Sequence, residues 1–130
     1  MSPAKSPVKF PDGSKPASDK LSRAEEEYAQ AEAHYKKAKE TTVVDVQVTE
    51  LLSAARALNR GISSELDSKE DLNQERIKQF AVVMSIIREI MTVDPPCISY
   101  KTVNDINPSL RTCLLALELY ESMLLKLENP

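Results

Sequence analysis

Glycine is nearly missing from this chain. Gly13 and Gly61 are the only two among 130 residues, and there is no tryptophan. Glycine supplies the backbone conformations of tight sheet turns and of phosphate-cradling loops. Two isolated glycines therefore cannot write a P-loop or a dinucleotide-binding fingerprint. Cysteine is scarce as well: Cys97 and Cys113 make neither a disulfide framework nor a zinc-ligand spacing. No leader-like apolar stretch opens the chain, so both are expected as reduced thiols in a cytoplasmic or nuclear protein. A surplus of one charge is also lacking. Seventeen Lys and Arg against twenty Asp and Glu leave −3, too little to impose nucleic acid or membrane as an obligatory partner. Apolar runs such as Phe80 to Met84 stop far short of a membrane span.

Catalytic groups are equally thin. His34 is the only histidine, and it lies beside the stripe of a charged segment with no cysteine or second histidine at ligand spacing. It is expected at the surface. A nucleophile needs an activating base and an orienting group. Cys113 falls among apolar residues and should be packed and inert, while Cys97 has no base near it in sequence. The acidic runs Glu25–Glu27 and Glu70-Asp71 lack the alternation and glycine of a calcium loop. No enzyme activity, metal or cofactor is expected.

What is present begins with a distinctive tail. Residues 1–18 hold Pro3, Pro7, Pro11 and Pro16, half of the eight prolines, and few apolar side chains. Such a stretch buries too little to offset its ordering entropy and is expected to be disordered. Lys5, Lys9 and Lys15 against Asp12 give it a local charge of +2. Ser2-Pro-Ala-Lys5 and Ser6-Pro-Val-Lys9 abut one another. This pair resembles the sites of proline-directed, cell-cycle-type kinases, which implies phosphorylation at Ser2 and Ser6. Two phosphates add roughly −3 to −4 and invert the sign of the segment. An unmodified solubilising tail is the plain alternative. The pair is also similar to histone-tail repeats that follow the DNA minor groove, but a charge of +2 makes a weak anchor there.

The rest reads as four helices of an all-α bundle, at about 19–40, 46–66, 70–93 and 108–128. Ser18 or Asp19 can cap the first. Leu21, Ala24, Tyr28, Ala31, Tyr35 and Ala38 alternate at spacings of three and four, a thin heptad stripe of the coiled-coil kind. Within it, "YAQAEAHYKKAKE" resembles the second helix of a tetratricopeptide repeat. No first helix, closing proline or second copy accompanies it, so the match is a consequence of the stripe. The β-branched "TTVVDVQV" at 41–48 reads as a linker rather than a lone strand. Val48, Leu51, Leu52, Ala55, Leu58, Ile62 and Leu66 keep helical spacing through Gly61, although "NRG" also reads as a C-terminal signal. Asp67 or Ser68 is a candidate cap for the third helix, which Asp94-Pro95-Pro96 stops. Asn107-Pro108 is a start signal for the fourth, after a long connection over 94–106 with a possible helical turn at 100–106.

The third and fourth helices are apolar around most of their circumference, beyond the arc of a little over 100° that an ordinary bundle helix needs. Two helices cover each other along one seam, so apolar surface should be left over for a partner. The expected anchors are Phe80, Met84, Ile87, Leu117, Tyr120 and Leu124. Two readings follow. One is a non-catalytic adaptor that takes a partner protein's helix in a groove on helices 3 and 4. The other is a structural subunit of a homodimer or larger complex, nuclear or cell-cycle-associated, whose helix 4 self-associates. Bundles of the focal-adhesion-targeting and microtubule-interacting-and-transport types have this general look, but no motif specific to either is present.

Overall fold

A computed structural model describes residues 15–69, 71–93 and 98–128. The candidate phosphorylation sites Ser2 and Ser6, and Cys97, lie outside the described residues. Among the described residues four helices follow one another: α1 (Lys15–Glu40), α2 (Val44–Lys69), α3 (Gln74–Met91) and α4 (Tyr100–Glu128). The all-α four-helix architecture is as expected, while several boundaries move, each for a local reason.

α1 starts at Lys15 rather than 19, with Pro16 in its first turn, where the missing N–H has no helical partner to lose. α2 runs straight through Gly61 to Lys69. Consequently α3 begins at Gln74, not 70, and its cap is Asn73 rather than Asp67 or Ser68. Asn73 Oδ1 accepts from the Arg76 backbone N–H at 3.1 Å, the ordinary N-cap bond. At the other end, the Thr92 N–H turns back to the carbonyls of Arg88 and Glu89.

The largest correction is at α4, which starts at Tyr100, eight residues before the expected 108. Ser99 is the cap: its Oγ accepts from the Thr102 N–H at 3.2 Å. Asp45, in the first turn of α2, then holds this end down. Its Oδ1 accepts from the Ser99 N–H at 3.0 Å and its Oδ2 from the Thr102 hydroxyl at 3.0 Å. Pro108 thus lies inside a 29-residue helix. An internal proline costs on the order of 3 kcal/mol. Here it sits on an exposed side of the helix, while Ile106 and Leu110 on either side of it are buried.

α2 is the centre of the molecule: α1, α3 and α4 all pack on it, and α3 also packs on α4. Large side chains fill the space that α2, α3 and α4 share. Val48, Leu51, Leu58 and Ile62 meet Ile77, Phe80, Met84 and Ile87, and α4 adds Cys113, Leu117 and Tyr120. The Phe80 and Tyr120 rings meet edge-on at 6.1 Å, and the Tyr120 hydroxyl donates to Asn59 Oδ1 at 2.9 Å. The α1/α2 seam is built differently. Ala24, Ala31 and Ala38 are buried at heptad intervals on α1. Helical spacing aligns Ala54, Ala57 and Gly61 on α2. Small residues let the two backbones come close. A Cβ at Gly61 would overlap the ring edge of Tyr28, within 2.8 Å of its Cδ1.

Candidate functional site

Five of the six expected anchors are interior. Phe80, Met84 and Ile87 are fully enclosed, Leu117 and Tyr120 nearly so, and Leu124 is partly buried against the same cluster. The groove expected on helices 3 and 4 is therefore core, and a partner cannot reach these side chains without opening the bundle. The reason is α2: it gives α3 and α4 a further seam each, so three helices close over what two could not.

Apolar surface lies elsewhere. Val82 on α3 is exposed, as are Leu115, Leu119, Leu125 and Leu127 on α4. Val82 borders a concavity with mainly apolar walls. α1 and α3 both lie on α2, yet among the described residues none of their Cα atoms come within 8 Å of each other. Between them is a cleft of about 210 Å³. Tyr28, Ala31 and Tyr35 line it from α1, Leu58 from α2, and Val82 and Val83 from α3. An apolar cavity of about 150 Å³ holds a benzene ring, so this cleft admits one or two side chains of that bulk.

Polar groups sit at the ends of the cleft. The Arg76 guanidinium covers the Tyr28 ring at 4.2 Å and donates to Gln79 Oε1 at 2.8 Å. Beside it, Glu25 and Glu32 with Ala29 form a carboxylate shelf on α1. At the far end, the Lys39 ammonium lies 4.7 Å from the Tyr35 ring centre. The Tyr28 hydroxyl is buried without a well-formed hydrogen bond. Burial, and then the neighbouring Glu65 carboxylate, push its pKa well above the usual tyrosine value. Glu65 is itself buried, and its Oε1 accepts from Asn73 Nδ2 at 3.0 Å. Asn73 thereby joins the start of α3 to α2 and caps α3 with its other amide atom.

The opposite flank of the α1/α2 seam is polar. Arg23, Glu27, Asn59, Arg60, Ser63, Ser64 and Asp67 line a hollow there, and Arg60 Nε donates to Glu27 Oε1 at 3.0 Å. His34, expected as a free surface residue, is half-buried on this seam, with Nδ1 2.6 Å from Glu50 Oε1. Its imidazole ties α1 to α2. Cys113 is buried, as expected, and burial pushes its thiol up despite the nearby Arg56 and Arg60. Among the described residues, no cluster of three or more His, Cys, Asp or Glu could hold a metal ion. No helix among them is long and apolar enough to cross a membrane.

Neither a protein-family model, nor a curated protein, nor a solved structure matches this chain. A functional reading therefore rests on its own residues. Two features were not readable in the sequence. The cleft needs α1 and α3 held apart by α2, and the role of Gly61 needs Tyr28 laid across it. The only signal for the second was a glycine kept inside an otherwise periodic helix.

Proposed function

We propose that this chain is a non-catalytic protein-interaction module that takes a partner's apolar side chains into the α1/α3 cleft. The observation that carries this reading is the cleft itself. It has apolar walls, an exposed valine at its edge and carboxylates at one end. The occupant with matching chemistry is an amphipathic helix. It would present two aliphatic side chains a turn apart, as helix-in-groove partners do, and a Lys or Arg to reach Glu25 and Glu32. The tail is the regulated element of the proposal. Phosphates on Ser2 and Ser6 would reverse its local sign. A catalytic reading has little support: the one imidazole is engaged with Glu50 and the Cys113 thiol is enclosed.

The test uses a synthetic amphipathic peptide of about four helical turns, with leucines four apart and lysines on one flank, titrated into the isotope-labelled chain. Shifts should concentrate at 28–35 and 79–86, and glutamates in place of the lysines should weaken binding. Val82→Asp should abolish binding while leaving stability within about 0.5 kcal/mol, since Val82 faces water. Binding that ignores Val82→Asp, or shifts centred elsewhere, would remove the cleft reading. For the tail, a proline-directed kinase should incorporate phosphate at Ser2 and Ser6. No incorporation beside a labelled control substrate would remove that part.

A further inference from the structure

The outward side of α4 carries two leucines that no other part of the chain covers among the described residues. Leu115 and Leu119 are 63% and 59% exposed, and lie across the helix from the buried Cys113, Leu117 and Tyr120. At 100° per residue these two, with Pro108 and Thr112, form one outward strip. Its edge carries a pair of opposite charges. Arg111 and Glu118 are both exposed and stand seven residues apart, two turns along the same edge of that strip.

We propose that α4 pairs antiparallel with α4 of a second copy, about a two-fold axis that passes beside Leu115. In such a pair the same edge of each helix meets, and opposed positions run in opposite directions. Arg111 of each copy then lies opposite Glu118 of the other, giving two charge pairs that flank a central Leu115–Leu115 contact. Leu119 of each copy seats between Pro108 and Thr112 of the other. A parallel two-fold pair would put this charged edge of each copy on opposite sides of the seam and form neither charge pair. An antiparallel slip of one heptad would oppose two arginines or two glutamates. Like charges in register suppress wrong pairings, so the charge pattern selects one arrangement. The contact is isologous and closes on itself, and does not propagate into a fibre. Two leucines make a small apolar centre, so the dimer is reversible rather than obligate.

Sedimentation equilibrium over a broad concentration range tests this. The mass should rise from that of one chain towards that of two. Leu115→Lys with Leu119→Lys should leave a monomer at every concentration, with an unchanged unfolding midpoint because both sites face water. Arg111→Glu should weaken the dimer by at least about tenfold, since symmetry places two repulsive pairs in each dimer. Combining Arg111→Glu with Glu118→Arg should restore it. Val82→Asp should leave the dimer intact, which keeps this proposal separate from the cleft. The mass of one chain throughout would overturn the proposal. So would a dimer indifferent to the lysine variant, or a swapped double variant as weak as Arg111→Glu alone.

Discussion

The two seams of α2 are packed by opposite means. Towards α3 and α4 the space is filled with bulk: Ile62, Ile77, Phe80, Met84 and Ile87 are wholly enclosed. Towards α1 the space is removed, by alanines at heptad intervals and a glycine under an aromatic ring. The first seam draws its stability from apolar area taken out of water. The second buries little per residue and draws on close backbone approach, where dispersion between many atoms adds up. A seam built of bulk tolerates some repacking when a methyl group is added. A seam built of absence does not, because any added atom pushes the helices apart.

This contrast orders the expected effects. Phe80→Ala should be the most damaging, at about 3–5 kcal/mol, seen as a lower midpoint in denaturant unfolding with loss of the Tyr120 ring contact. Survival of full stability would mean that the α2–α3–α4 core is not packed as described. Gly61→Ala comes next and tests the sign. Alanine gains about 1 kcal/mol of helix propensity over glycine, yet overpacking costs about 1–3 kcal/mol. Net destabilisation is expected, with faster amide exchange along α1 than along α3. In a Tyr28→Leu background the same substitution should become neutral or stabilising. A penalty that persists there would show that Tyr28 is not the obstacle.

The smallest effect is local and depends on pH. The hydrogen bonds from Ser99, side chain and backbone, hold the Asp45 carboxyl below the usual carboxylate range. A lowered folded-state pKa means that the unfolded chain binds the proton more readily. The stabilisation is therefore present above the ordinary aspartate value of about 4 and is lost as pH falls through and below it. Asp45→Asn should fray residues 100–106 at neutral pH, read by hydrogen exchange, and should remove the acid-dependent fraying of the parent. Equal fraying of parent and variant at pH 7 would dismiss the clasp.

Helix number and order were legible in the chain because periodicity reports which residues face inward, whatever they face. The α1 stripe of Ala24, Tyr28, Ala31 and Ala38 was readable for the same reason, and all four are buried. The boundaries that moved are those set by distant partners. Asn73 competes successfully with Asp67 and Ser68 because α2 persists and brings Glu65 within reach of its amide. Ser99 starts α4 early because Asp45, 54 positions away, accepts its N–H. The misplaced anchors have a similar origin. Periodicity shows that Phe80 and Leu117 are greasy-side residues, but not how many helices will cover them.

Local patterning was enough to make this chain four amphipathic helices with an apolar interior, since helical spacing and turn chemistry act over a few residues. Tertiary structure decided which apolar residues were spent on the core and which were left at the surface. Enclosure depends on three-dimensional neighbours: α2 touches all three other helices, and so Phe80 is hidden while Val82, Leu115 and Leu119 face water.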